Sequence, residues 1–226
     1  LSLDAVLEKD DIADFVERMR EEAGEEGALL VAEPKFDGLS VEAVFDEGRF
    51  LHAATRGNGE TGEDITHTLR TVRALPLRLV GDDAPTGRVA FYGEAILPKS
   101  SFQEINGRRI ERGEEPFANP RNAAAGVLRR LDPAEAETTR FAVSFYDASG
   151  IDAETAPTQW ALLDRLRELG LPVVGDRVRC DSVEDVAAFH GTLEAQRDDL
   201  DYEIDGIVLK LNARSARSRL GTRSRT

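Results

Sequence analysis

The sequence predicts an α+β fold in which antiparallel sheets are flanked by helices. Three observations carry that expectation. Strand-like runs occur in neighbouring pairs around tight turns, as at Asp46-Glu47-Gly48. Helical spacing interrupts the strands irregularly, without the strict alternation of a doubly wound parallel sheet. The hydrophobic content of 41% over 226 residues is enough for one large core or two small ones.

Ile12, Phe15, Val16 and Met19 recur at helical spacing after Asp10 and Asp11, which can cap a helix start, and Gly24 ends it. Ala28 to Ala32 is a short apolar run. Leu39 to Phe45 reads as a strand, paired through the Asp46-Glu47-Gly48 turn with Phe50 to Ala54. A glycine-rich loop follows from Arg56 to Asp64, then a short helix near Ile65. Val89 to Leu97 is a strand and Phe102 to Arg112 a helix. Asn119-Pro120 opens another helix, where the missing N–H of proline costs nothing, and it is expected to run to Leu131. Strand Phe141 to Tyr146, helix Thr158 to Leu169, a strand around Val173 to Val178, helix Val183 to Ala195 and strand Ile204 to Leu211 complete the chain. Gly150 to Pro157 is the one segment with linker character.

The chain carries 43 acidic residues against 29 basic ones, of which only four are lysine, for a net charge of -14. Binding to phosphate backbones rests on Lys and Arg, so net charge alone argues against a nucleic-acid partner. Uniform acidity with few lysines is also what keeps a protein soluble in concentrated salt, where surface charges are screened within a few ångströms. A salt-adapted source is therefore expected, with a GC-rich genome as the plainer alternative. Local arginine clusters, not net charge, then decide the partner. No apolar run approaches the length of a membrane helix, and no signal peptide is visible, so a cytoplasmic protein is expected. A single cysteine, Cys180, excludes an internal disulfide and argues against a zinc site. His52, His67 and His190 have no metal-ligand spacing, and Trp160 reads as a core residue on an apolar helical face.

Two short motifs carry chemistry. In Glu33-Pro34-Lys35-Phe36-Asp37-Gly38, a lysine ends an apolar strand, with a carboxylate two residues on and a glycine permitting a tight turn. Partial desolvation and a nearby polar group are what a lysine nucleophile needs; a surface lysine beside a turn has the same pattern. In Asp205-Gly206-Ile207-Val208-Leu209-Lys210, Asp205 and Lys210 fall on opposite faces if the strand is regular. A lysine there is ordinarily a snorkelling surface residue. Two of only four lysines nevertheless lie in D-G-containing strand ends. Arg121 and Arg129, eight residues apart on one helix, can point the same way, and Ala123, Ala124 and Ala125 leave room for a phosphate ligand beside them.

Together K-x-D-G and D-G-x-V-x-K resemble motifs I and IV of the covalent nucleotidyltransferases, about 170 residues apart. Tyr92-Gly93-Glu94 matches motif III. The run from Ala54 to Thr66 and the run Asn119-Pro120-Arg121-Asn122-Ala123-Ala124-Ala125-Gly126, continuing to Asp132, resemble signatures of bacterial-type NAD-dependent DNA ligases. Leu1-Ser2-Leu3-Asp4 resembles the segment that leads into their adenylation domain. The resemblance implies an ATP-grasp-like nucleotidyltransferase fold across 1–226. Lys35 would attack the adenylyl phosphorus of NAD and become lysyl-AMP. Glu33 would accept a hydrogen bond from the adenine amino group, with Ser2 and Leu3 lining the nucleotide site. Arg56 and Glu94 would hold the ribose and adenylate, and Lys210 would stabilise charge on the phosphate. Asp37 and Asp205 would orient the lysine or hold waters of a magnesium ion. Arg121 and Arg129 would face DNA phosphates near a nick.

The resemblance further implies a monomer acting on nicked duplex DNA in replication and repair. It places motif V, the OB-fold, zinc-finger, helix-hairpin-helix and BRCT modules, and the segment recognising nicotinamide mononucleotide, outside this chain. A piece of that kind is expected to take AMP from NAD poorly and not to seal nicks. Asn58 stands where Asp is usual in the family, Tyr92 where Arg often stands, and Ala5 where Asn is common. An ATP-dependent polynucleotide ligase, which shares motifs I, III and IV but not the long runs, and a catalytically silent binding fragment are the alternatives.

Overall fold

The computed structural model describes residues 10–24, 29–81, 83–129 and 139–220. Helix α1 (Asp10–Ala23) precedes strand β1 (Leu30–Phe36), β2 (Leu39–Asp46) and β3 (Arg49–Thr55). A single helical turn, α2 (Thr66–Leu69), leads to β4 (Arg88–Ile96), α3 (Lys99–Glu111), α4 (Pro120–Leu128) and β5 (Ala142–Ser149). Then come α5 (Gln159–Glu168), β6 (Val178–Cys180), α6 (Val183–Gln196), β7 (Ile204–Leu211) and α7 (Arg214–Leu220). The strands form a three-stranded sheet in the order β6-β1-β7 and a four-stranded sheet in the order β3-β2-β4-β5. Every pairing in both sheets is antiparallel, as expected of the α+β class.

Local chemistry accounts for the turns. Glu47 and Gly48 both adopt positive φ (49° and 69°), which suits the right-handed twist of the β2–β3 hairpin. Asn119 caps α4, its side chain accepting from the Asn122 amide at 2.8 Å, with Pro120 in the first turn. Ser182 and Asp185 form a reciprocal capping box at the start of α6.

Each sheet buries its own core. Beneath the larger one, Phe45, Phe91 and Phe145 pack edge to face at centroid separations of 5.4 and 6.3 Å, against Leu162, Leu163 and Leu166 of α5 and Val127 and Leu128 of α4. The second core gathers Val16, Leu30, Ala32, Cys180, Val186, Phe189, Leu193 and Leu211. Polar clasps tie the two together. The Gln159 amide donates to the Asn212 carbonyl at 2.6 Å, and Arg214 donates to the carbonyls of Ile151, Asp152 and Ala156 at 2.7 to 3.1 Å. Asp201 accepts from the Ser100 amide and hydroxyl at 3.0 and 2.8 Å.

Five expectations change. Val173 and Val174 do not pair in a sheet: the segment runs beside β5, where the Pro172 carbonyl accepts from the Phe145 amide at 2.8 Å, and β6 begins only at Val178. Burial of Leu171 and Val174 gave that stretch its strand-like composition. Helix α4 ends at Leu128, with Arg129 as its C-cap, and Leu131 lies outside the described residues. Ala123 and Ala124 face the core and leave no space for a ligand. Trp160 is only partly buried, lying beneath the guanidiniums of Arg177 and Arg179, each 4.4 Å from a ring centroid. Gly150 to Pro157 joins β5 to α5, and its Ile151 and Ala156 are buried in the same core as those two elements.

Candidate active site

Strand β1 lies in one sheet and β2 in the other, with only Asp37 and Gly38 between them. The K-x-D-G motif is thus the step from one sheet to the next. Gly38 is needed there, because a Cβ would overlap the Ala95 carbonyl oxygen and press on Glu94 Cγ at 2.8 Å. The same close approach brings motif III of β4 to motif I.

Lys35 Nζ and Asp205 Oδ2 are 2.5 Å apart. They meet because β7 contains a bulge. Pro34 is opposite Ile207, but Phe36 is opposite Ile204, so two residues, Asp205 and Gly206, face the single Lys35. Gly206 takes φ +139°, a conformation that other residues rarely adopt. The extra residue reverses the expected alternation: Ile204 and Ile207, an odd number apart, both serve the second core. Asp205 and Lys210 therefore share the other face with Glu33 and Lys35.

Two linked clusters result. At one end, Asp37 Oδ1 accepts from Arg121 at 3.1 Å, so Asp37 holds the arginine and, among the described residues, Asp205 holds Lys35. Arg129 pairs with Glu63 at 2.6 Å. Arg56, Gly57, Asn58, Arg121 and Arg129 line one cleft of about 260 Å³ with Ser40, so the two helical arginines do share a direction. Asn58 accepts from the amides of Glu60 and Thr61 at 3.0 and 2.8 Å and so organises the glycine loop itself. At the other end, the buried Glu33 carboxylate accepts from Lys210 Nζ at 3.0 Å and from Gln159 Nε2 at 2.9 Å. Lys210 also lies 4.9 Å from the Tyr146 ring centroid. Lys210 is thus engaged by Glu33 and does not stand beside Lys35.

Glu94 sits between the clusters, buried on β4, with its Oε2 accepting from Ser40 Oγ at 2.8 Å. Burial raises its carboxyl above the ordinary glutamate value, partly offset by the Ser40 hydrogen bond and then by the charges of Arg121 and Lys35. The Tyr146 phenol is pushed up to about 12, by burial first and then by the Glu94 charge.

Lys35 side-chain exposure of 39% leaves the amine reachable. An ammonium is not a nucleophile, and the carboxylate in contact with it is the proton acceptor at hand. Asp37 and Asp205 are both committed to cations, and among the described residues no three metal-ligating side chains cluster. This donor set builds no protein cage for magnesium, and holding only the waters of such an ion, the role expected of the two aspartates, requires none. Ser2 and Leu3 lie outside the described residues.

Ser40, Tyr146 and Gln159 belong to the site but were not singled out by sequence reasoning. Gln159 left a usable signal: it holds the same helical phase as Leu162, Leu163 and Leu166, where a polar residue must be satisfied inside the fold. Ser40 and Tyr146 left none beyond ordinary strand alternation.

The family profile of the NAD-dependent DNA ligase adenylation domain matches residues 1–226. A DNA ligase of Haloferax volcanii is 49% identical over 100% of this chain and 32% of its own length. A DNA ligase of Salinibacter ruber is 45% identical over 100% of the chain and 33% of its own. One from Bacillus subtilis is 43% identical over 98% of the chain and 32% of its own. The chain thus spans about a third of the length of the curated relatives it matches.

Proposed function

This chain belongs to the NAD-dependent DNA ligase adenylation-domain family, and from that premise we propose that it carries the self-adenylation step of nick sealing. Lys35 attacks the adenylyl phosphorus of NAD after Asp205 has accepted its proton. The bond from phosphorus to nicotinamide mononucleotide breaks as the phosphoramidate bond forms. AMP then passes to the 5′-phosphate of a nick in duplex DNA, and the 3′-hydroxyl displaces it. The single observation that supports this most is the 2.5 Å contact between Lys35 and Asp205 across the bulge, beside the buried Glu94.

Glu33 reads the adenine amino group, since a carboxylate presents only acceptors. Glu94 and Arg56 hold the ribose and adenylate. Arg121 and Arg129, exposed in the cleft, exchange Asp37 and Glu63 for DNA phosphates. Lys210 supplies its charge at the base end; reaching the phosphate requires breaking its 3.0 Å bond to Glu33. Magnesium, in this reading, arrives with the phosphates and their waters and needs no protein cage.

The decisive experiment is intact-mass spectrometry of the full-length protein after incubation with NAD, beside Lys35→Ala. The gain of one AMP by the parent alone is expected. A gain with ATP and none with NAD would move the chain to the ATP-dependent ligases, and no gain with either would leave a binding role.

A further inference from the structure

Gln159 has no exposed surface, although it is the first residue of a helix. All its polar capacity is spent on the base end of the site. Its Nε2 donates to Glu33 Oε1 at 2.9 Å and to the Tyr146 carbonyl at 2.9 Å. Its Oε1 accepts from Arg217 Nη1 at 2.7 Å. This arrangement fixes which way the amide points. Turned over, its oxygen would face the Glu33 carboxylate and the Tyr146 carbonyl, and its NH2 would face a guanidinium. Three attractions would become three repulsions in a buried setting, where each is costly.

Glu33 therefore receives one donor on each oxygen: Gln159 on Oε1 and Lys210 on Oε2. Two donors at fixed positions hold the plane of the carboxylate while leaving lone pairs on both oxygens. Gln159 belongs to α5, which packs on the first core, Glu33 to β1 of the other sheet, and Arg217 to α7 beyond β7. The chain Arg217–Gln159–Glu33 thus draws on three elements to aim one acceptor.

We propose that Gln159 is a positioning residue for purine selection, with Arg217 holding its amide in the donating orientation. This inference rests on the reading of Glu33 as the residue that faces the adenine amino group. A rigid acceptor rewards a base that presents a donor at C6 and repels one that presents a carbonyl, so selectivity depends on Glu33 being held as well as present. Gln159 itself need not touch the base.

The test compares NAD with its hypoxanthine analogue, in which the adenine amino group is replaced by oxygen, as AMP and IMP donors to the full-length protein. Gln159→Leu removes both donors and keeps most of the side-chain volume. Its preference for NAD over the analogue is expected to fall by about tenfold, mainly through a raised KM for NAD with kcat less affected. Arg217→Leu leaves Gln159 in place but free to turn over, and should shift the preference the same way by about threefold. A purely structural role predicts a lower melting temperature with an unchanged preference in both variants, and that result overturns the proposal. Should Gln159→Leu not fold, Arg217→Leu alone decides. A parent protein that takes AMP from NAD but shows no preference over the analogue overturns the role of Glu33 and with it this inference. A parent that takes up neither nucleotide overturns the adenylation reading itself.

Discussion

Gly206 shows how one residue sets the site. Its lack of a side chain matters for backbone conformation and not for space, since a Cβ there would meet nothing within 4 Å. Any other residue at φ +139° carries strain of about 1–3 kcal/mol. That strain is relieved most easily by straightening β7, which would turn Asp205 away from Lys35. Gly206→Ala is therefore expected to lower the rate of AMP loading severely, while lowering the melting temperature by only a few degrees. A variant that is fully active, or one that fails to fold, would contradict this assignment. Gly38 acts in the opposite way, through close approach, because its backbone lies against Ala95 and Glu94.

At the scale of elements, helix α6 illustrates how stability couples to acidity. Asp185 accepts from the Ser182 hydroxyl and from the amides of Asp181 and Ser182, and these hydrogen bonds hold its carboxyl below the ordinary aspartate value. Asp201, which ties α3 to the segment before β7, is lowered in the same way by the Ser100 amide and hydroxyl. A folded value below the unfolded one means that the contribution is complete above about pH 4 and is lost as pH falls through the lowered folded value. Asp185→Asn should therefore lower stability at pH 7 by about the contribution that the parent loses on acidification, and flatten the fall below pH 4 to match, as followed by circular dichroism across an acid titration. An unchanged acid profile would show that the capping box does not contribute.

Most elements were legible because periodicity and turn chemistry speak for them. Asn119-Pro120, Glu47-Gly48 and the apolar run from Ile204 to Leu211 each mark a boundary that the structure confirms. The segment at 173–178 misled because burial under a core and pairing in a sheet select the same apolar residues. The bulge could not be read from alternation, which assumes that every residue counts once; only the glycine hinted at it. The lysine and aspartate of the site were legible as motifs. Among their partners, Gln159 showed only as a polar residue in an apolar helical phase, and Ser40 and Tyr146 acquire meaning only when two sheets meet.

For the molecule as a whole, 43 acidic residues against 29 basic ones leave a net charge of -14, so its surface repels itself at low ionic strength. Salt-loving organisms contribute several of the relatives. We propose adaptation to high salt for this protein too. Raising KCl from low millimolar to molar concentration is expected to raise the melting temperature steadily, with no maximum below about 1 M, where the screening length has shrunk to roughly 3 Å. A melting temperature that falls over that range would refute the idea.

The step between β1 and β2 has one more consequence. Glu33, Lys35 and Asp205 ride on one sheet, whereas Ser40, Glu94 and Tyr146 ride on the other. A small rotation of one core against the other leaves each set intact and changes only the distances between them. The Lys35 amine and the buried Glu94 thus lie on opposite jaws of a vernier. In the reaction proposed above, the fit between the halves, which neither core can sense alone, would be measured where those jaws meet.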